Sequence, residues 1–253
     1  MKEVQSVETH LPKMLLPIKG ELALVNKNIK EGMMLKAGHV SEFANLELHW
    51  CDEFLHPAVL ILSAHMFGYS NSQVITMATA MQFLYLGTGI HFGKYDQRLG
   101  LPILIGDYFY SKFFSYMCKE NSLRWLKPTA NAVCDVHVAG IKEKEEAQLL
   151  QSNNDEYVKT LQEQMSLLGF CASFGALAVE SEKKYQDALA LFGKNLGVSI
   201  QLIRNKKLLN IASLLLQEAK QEIEILPDKA EKAILIKIIN HCFEAHKNID
   251  LVS

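Results

Sequence analysis

The sequence lacks the short patterns that mark a zinc ribbon, a disulfide framework or a phosphate-binding loop. Its five cysteines are odd in number and widely spaced, and none forms a Cys-x-x-Cys pair, which argues against zinc ribbons and disulfide networks. Neither a Gly-x-x-x-x-Gly-Lys loop nor a Gly-x-Ser-x-Gly elbow occurs, so two common catalytic motifs are absent. Free cysteines suit a reducing compartment, and we expect a cytoplasmic protein.

The chain also lacks an excess of charge of either sign. It carries 26 Lys and Arg against 28 Asp and Glu, a formal net charge of −2, so nucleic acid is not an expected partner. Met66–Gly93 contains no charged residue other than its one histidine, which raises the question of a membrane span. Because Ser70, Asn71, Gln73 and Gln82 interrupt this stretch, we predict a buried helix and no transmembrane segment.

Hairpin dipeptides are missing, and helical spacing dominates instead. No Asn-Gly or Asp-Gly occurs, and apolar residues recur every three to four positions, so we predict an all-α fold of about ten helices around a central cavity. We expect one domain over residues 1–253, with residues 1–20 irregular because of Pro12 and Pro17. The spacing predicts helices over 21–30, 41–55, 57–68, 72–92, 105–117, 128–138, 157–176, 189–203, 208–225 and from 228 onward.

Two segments carry a family resemblance. His91-Phe92-Gly93-Lys94-Tyr95-Asp96, with Arg98 and Gly100 after it, and Phe192–Asn205, which reads FGKNLGVSIQLIRN, stand in chain order. They resemble the two aspartate-rich segments of the trans-polyprenyl diphosphate synthases. There the first segment reads His-Asp-Asp-x-x-Asp, and the second reads Phe-Gly-x-x-Leu-Gly followed by Gln-x-x-Asp-Asp.

Further landmarks extend the resemblance from about Ile18 to Lys247, with shortenings between Pro102 and Gly106 and after Asn205. They occur in family order and imply structural positions: Leu62-Ser63-Ala64, Gly106-Asp107-Tyr108, Gly175-Ala176 and Leu226-Pro227. The resemblance implies the all-helical isoprenoid synthase fold.

The positions that carry the family chemistry are altered. The two leading aspartates of the first segment are Phe92 and Gly93, and the aspartate pair of the second is Arg204-Asn205. In the family these carboxylates hold Mg²⁺ against the departing diphosphate, and aspartates at i and i+4 share one helix face. Of the first segment only Asp96 remains, which we regard as a weak metal candidate.

Other anion-binding positions differ as well. The family's Gly-Gly-Lys-Arg-x-Arg-Pro segment aligns with Cys51–Pro57, CDEFLHP, where Glu53 stands in place of the lysine. The Lys-Thr pair of a later substrate helix aligns with Gln164-Met165. His56 also completes one Glu-x-x-His pair, but a di-iron site requires a second such pair, and the chain has none.

The resemblance implies seven candidate remnants of the substrate pocket, and no catalytic residue. They are His56, His91, Asp96, Arg98, Gln164, Gln201 and Arg204. Five of them also have a plain structural interpretation. His91 can be a satisfied histidine at a helix end, Asp96 and Arg98 a local ion pair, Gln201 a link between helices, and Arg204 a solvated cation beside two lysines.

The resemblance therefore favours a catalytically deficient subunit of isoprenoid biosynthesis. Such a chain would pair with an aspartate-bearing prenyl diphosphate synthase, or with itself as a dimer, and would tune product chain length. The uncharged face of Ser72–Gly87 is a candidate surface. Two alternatives stay open: a weakly active, Mg²⁺-dependent prenyltransferase, and a protein that binds an apolar prenyl ligand without reaction. Any contact with a membrane would be peripheral, through the prenyl product.

Overall fold

A computed structural model describes residues 11–35, 38–39, 48–93, 102–119, 122–145 and 153–250. Ten α-helices account for most of these residues. They are α1 (Lys19–Gly32), α2 (Trp50–Met66), α3 (Ser72–His91), α4 (Pro102–Met117), α5 (Leu126–Glu145), α6 (Asn154–Gln164), α7 (Ser166–Ala178), α8 (Lys183–Arg204), α9 (Leu209–Glu222) and α10 (Ala230–Asp250). The all-α prediction is confirmed.

Short elements join the helices. Among the described residues, three 3₁₀ turns occupy Lys13–Ile18, Ser122–Trp125 and Ile223–Ile225. A two-residue antiparallel pair, β1 (Met34–Leu35) and β2 (Gly38–His39), follows α1. No hairpin dipeptide in the sequence predicted it. No described helix is long and apolar enough to cross a membrane.

The chain falls into two compact units. The first takes the described residues up to Ile61 and those from Ser70 to Leu126, and the second takes Leu62–Tyr69 and the described residues from Lys127 onward. The expectation of a single domain therefore stays a prediction.

In the first unit, α3 is the central helix, and α1 and α4 pack against it. The side chain of Asn71 caps α3 by accepting the backbone N–H of Gln73 at 3.0 Å. From residue 73 to residue 90, every position of α3 except 75 and 85 is buried. The uncharged face of Ser72–Gly87 is therefore an interior surface, and it was wrongly predicted as a candidate for association. Its neutrality reflects burial on all sides.

In the second unit, α7 is the most enclosed helix. Residues 166–176 are all buried, and α8 packs closely along α7. Where α7 crosses the end of α2, the Gly175 N–H donates to Ser63 Oγ at 2.9 Å. A Cβ atom on Gly175 would lie 2.0 Å from the Ser63 carbonyl oxygen, so this crossing requires glycine.

Several helix boundaries in the structure differ from those predicted from the sequence. Residues 13–18 form a 3₁₀ turn and α1 begins at Lys19, so the segment 1–20 is not irregular throughout its described part. The predicted break before Pro57 is wrong, because α2 runs through it from Trp50 to Met66. The predicted helix 157–176 is two helices, separated at Met165. Residues 41–47, the start of another predicted helix, lie outside the described residues.

Candidate functional site

The end of α3 is where the first aspartate-rich segment would begin. The helix stops at His91, and Phe92 and Gly93 follow as a turn in which the Gly93 N–H donates to the Ile90 carbonyl at 3.0 Å. Gly93 has φ +72°, a left-handed conformation that ends a helix. Phe92 and Gly93, which stand where the two leading aspartates would be, therefore lie outside the helix. Asp96 and Arg98 lie outside the described residues.

His91 is held against α4. Its Nε2 lies 3.4 Å from Asp107 Oδ1, and its ring meets the edge of Tyr110 with centroids 5.1 Å apart. A Cβ atom on Gly106 would lie 2.6 Å from the imidazole, so glycine leaves room for the ring. These contacts account for His91 within the first unit, and its role as a pocket remnant stays a prediction.

Tyr110 links the same two helices one turn away. Its hydroxyl lies 2.9 Å from Thr88 Oγ1. Burial raises the pKa of Tyr110, the bond to Thr88 partly offsets this, and the negative charge of Asp107 adds to the rise. The phenol is therefore neutral at physiological pH and serves as a hydrogen-bonding group.

His56 belongs to a buried polar cluster between α2 and α3. It is 6% exposed, and its ring stacks on Tyr85 with centroids 4.1 Å apart. The Tyr85 hydroxyl donates to Asp52 Oδ1 at 2.5 Å, and Gln82 Nε2 donates to the Asp52 carbonyl at 2.7 Å. Asp52 is only 2% exposed, so these bonds offset part of the cost of burying its carboxyl group.

The second segment lies on α8, and its glycines make the contact with α7. A Cβ atom on Gly193 would lie 2.6 Å from the Leu168 carbonyl oxygen, and one on Gly197 would lie 2.7 Å from Met165 Sδ. Between them, Asn195 Oδ1 accepts from Gln162 Nε2 at 2.7 Å, and Asn195 Nδ2 donates to Glu218 Oε2 at 3.3 Å. The motif therefore positions three helices of the second unit.

The C-terminal end of α8 is basic. Arg204 is its last residue and is exposed, as are Lys206 and Lys207 in the turn that follows. Lys206 has φ +52° and Leu208 φ +45°, so two residues adopt the left-handed conformation that favours glycine. Gln201, one turn before the end, is half-buried, and no donor among the described residues reaches its buried Oε1.

Gln164 forms part of a separate network at the end of α6. Its Nε2 donates to Glu143 Oε2 at 2.7 Å, and the Tyr157 hydroxyl donates to Glu143 Oε1 at 3.4 Å. Burial and the negative charge of Glu143 raise the pKa of Tyr157. The amide thus links α5 to α6. Whether it also touches a substrate stays a prediction.

The described residues do not fit a magnesium site of the family type. No group of three or more His, Cys, Asp or Glu side chains within the described ranges is placed to hold a metal ion. The first aspartate pair of the family is replaced here by Phe92 and the left-handed Gly93. The second pair is replaced by the exposed Arg204 and Asn205. Neither pair supplies a carboxylate, and the one side-chain oxygen among them, the Asn205 amide, carries no charge to hold Mg²⁺.

Comparison with known proteins supports the resemblance. No sequence profile of a known family matches the chain. It is 29% identical over 171 residues to a geranylgeranyl diphosphate synthase of Methanosarcina mazei, a stretch covering 58% of this chain and 52% of that protein. An octaprenyl diphosphate synthase of Escherichia coli is 27% identical over 173 residues, covering 59% and 51%. The aligned part thus spans about half the length of these curated relatives.

The fold comparison covers more of the chain. A decaprenyl diphosphate synthase of Rhodobacter capsulatus superposes with a TM-score of 0.79 at 16% identity, over 92% of this chain and 98% of that one. The chain therefore has the fold of the trans-polyprenyl diphosphate synthases. At this identity the superposition itself establishes only the fold.

Within the polyprenyl synthase pattern, the acidic start of α2 has a structural explanation. Glu53, which stands at the family's lysine position, accepts a hydrogen bond from Asn26 Nδ2 at 3.0 Å. Asp52, its neighbour, is held by Tyr85 and Gln82 as described above. These two carboxyl groups tie α2 to α1 and α3, and the lysine that would attract a diphosphate at this position is absent.

The sequence pointed to His56 but not to the rest of its cluster. A usable signal was present: Asp52 and His56 are spaced i, i+4 on α2, and Gln82 and Tyr85 are spaced i, i+3 on α3. Polar pairs at these spacings in otherwise apolar helices share one face. Because buried polar groups need partners, two such pairs could have been matched to each other.

Proposed function

We propose that this polyprenyl synthase homologue is a catalytically deficient subunit. It associates with an aspartate-bearing prenyl diphosphate synthase of the same cell and influences the length of the prenyl product. In this proposal the partner supplies the carboxylates that hold Mg²⁺, and this chain supplies helical surface. None of the five cysteines forms a disulfide, which favours a reducing location, and we take this to be the cytoplasm.

One observation carries the proposal: α3 stops before the position where the family's aspartates begin. Phe92 and Gly93 lie outside the helix, and Gly93 has φ +72°. The carboxylates and the helical geometry that would align them are therefore both missing there. The family reaction depends on stabilising the charge of the leaving diphosphate. A chain without these carboxylates therefore needs a partner that supplies the metal-binding groups.

Exposed apolar side chains support a role in association. On α4 of the first unit, Ile103 is 67% exposed, Leu104 64% and Phe114 53%. On α5 of the second unit, Val138 and Ile141 are 64% and 55% exposed. Apolar groups that recur on one helix often mark a protein interface. These faces replace Ser72–Gly87 as candidate contact surfaces.

Prenyl transfer assays test the proposal directly. The chain alone, the aspartate-bearing homologue alone and their mixture would each receive labelled isopentenyl diphosphate, an allylic diphosphate primer and Mg²⁺. We expect no product from the chain alone and an altered product length in the mixture. Product from the chain alone would refute catalytic deficiency and favour the weak prenyltransferase alternative. An unchanged product in a mixture that forms no complex would refute the subunit role.

A matched pair of variants locates the interface. Phe114→Glu places a charge in the exposed apolar face of α4, whereas Ser115→Glu places the same charge at an exposed polar position beside it. We expect Phe114→Glu to weaken association at least tenfold in analytical ultracentrifugation and Ser115→Glu to change it by less than about threefold, because an unpaired charge is costly in an apolar interface. Equal effects would exclude this face.

A further inference from the structure

A cavity of about 460 Å³ lies in the first unit, where α1, α2 and α3 meet. This volume falls within the range of small-molecule sites, roughly 300–1,000 Å³. Most of its wall is apolar and comes from Leu22, Val25, Ile29, Met33, Phe54 and Pro57. Leu22 is 1% exposed, Val25 2% and Phe54 2%, so these side chains are fixed by packing.

The polar groups of the wall are few and mostly engaged. Asn26 and Glu53 hydrogen-bond to each other at 3.0 Å, and Lys30 and Glu31 are exposed. The charged side chains of the wall are therefore two carboxylates, Glu31 and Glu53, and one ammonium group, Lys30. An anionic headgroup would meet a net negative wall.

Gln82 is the exception among these groups. It lines the cavity and is 2% exposed, and its Nε2 donates to the Asp52 carbonyl at 2.7 Å. Its Oε1 is buried, and no donor among the described residues lies within hydrogen-bonding distance of it. A buried amide oxygen without a donor is unfavourable and calls for a partner.

We propose that this cavity binds an apolar molecule that carries one neutral hydrogen-bond donor, such as a long-chain alcohol. The chain of the ligand packs against the apolar side chains of α1 and α2, and its hydroxyl donates to Gln82 Oε1. The carboxylates of the wall select against the phosphorylated form of the same chain. This site does not rest on the subunit role, because it involves neither aspartate-rich segment.

The test compares three ligands that share a ten-carbon chain: 1-decanol, decyl methyl ether and decyl phosphate. Binding would be measured by calorimetry and by the shift in melting temperature, since a ligand that binds the native state stabilises it. We expect 1-decanol to bind about three- to tenfold more tightly than the ether, the increment of one neutral hydrogen bond. We expect decyl phosphate to bind more weakly than both. Equal or tighter binding of decyl phosphate would overturn the proposal.

Two pairs of measurements assign the binding to this cavity. Val25→Trp fills the cavity from α1, whereas Leu24→Trp adds the same ring at a neighbouring position that is 53% exposed. We expect the first variant to abolish 1-decanol binding and the second to leave it unchanged. If Val25→Trp does not fold, Gln82→Met carries the test, because it should remove the preference for the alcohol over the ether. A preference that survives Gln82→Met, or undiminished binding to a folded Val25→Trp, would refute the assignment.

Discussion

Replacing Gly175 by alanine tests the closest helix contact of the second unit. The added methyl group would lie 2.0 Å from the Ser63 carbonyl oxygen and 2.6 Å from the Ala64 nitrogen. Both atoms belong to the backbone, so no side-chain rotation relieves the clash, and α7 must move away from the end of α2. Overpacking of this kind costs about 1–3 kcal/mol or more.

Two smaller effects adjust that magnitude. Separation of the helices weakens the 2.9 Å bond from the Gly175 N–H to Ser63 Oγ, worth about 1 kcal/mol. Alanine in a helix gains up to about 1 kcal/mol over glycine. These two effects roughly cancel, so we expect Gly175→Ala to lower the free energy of unfolding by about 1–3 kcal/mol, a substantial part of the roughly 5–15 kcal/mol of a typical domain.

Urea denaturation followed by circular dichroism measures the effect, and Gly20→Ala is the control. Gly20 also lies in a helix, but nothing is within 4 Å of where its Cβ would be, so the same substitution should be neutral or stabilising by up to about 1 kcal/mol. If Gly175→Ala is as stable as the wild type while Gly20→Ala behaves as expected, the close crossing of α7 and α2 is wrong.

Three further perturbations have defined outcomes. Tyr85→Phe removes a hydrogen bond to a buried carboxyl group and should cost about 1.5–3 kcal/mol in the same urea assay; a loss below about 0.5 kcal/mol would contradict the cluster. In the native protein, Ellman's reagent should react with two of the five thiols, Cys118 and Cys134, which are exposed. The other three are buried, and burial raises the pKa of Cys242 to about 12. In urea all five should react. The double variant Phe92→Asp/Gly93→Asp, assayed without a partner, should show no prenyl transfer. Gly93 has φ +72°, so carboxylates at these two positions do not share a helical face. Measurable product would contradict this expectation.

The sequence predicted a helix best where a long apolar segment follows a capping residue. The long uncharged segment was assigned to residues 72–92 and forms α3 over Ser72–His91, because burial on all sides and an Asn71 cap leave strong local signals. The left-handed Gly68, with φ +72°, ends the turn after α2 as expected.

Other features depend on contacts that a single sequence does not display. Pro57 sits inside α2, although proline usually marks a helix start; packing of the rest of the helix compensates for the one backbone bond that Pro57 cannot make. The break at Met165 joins two helices whose apolar spacing is continuous in the sequence. Partners such as Asp52 for Tyr85, or Glu143 for Gln164, are 33 and 21 residues apart in the chain, and only the folded structure brings them together.

The close crossings of α7 also bear on how substitutions would be tolerated across the chain. In a saturation library scored for folded protein alone, Gly175, Gly193 and Gly197 should accept almost no other residue, because backbone or packed side-chain atoms occupy the space beside each of them. The exposed Arg204 and Asn205 should accept most substitutions. For this protein, intolerance to mutation would map how closely its helices approach one another and would be a poor guide to where any chemistry takes place.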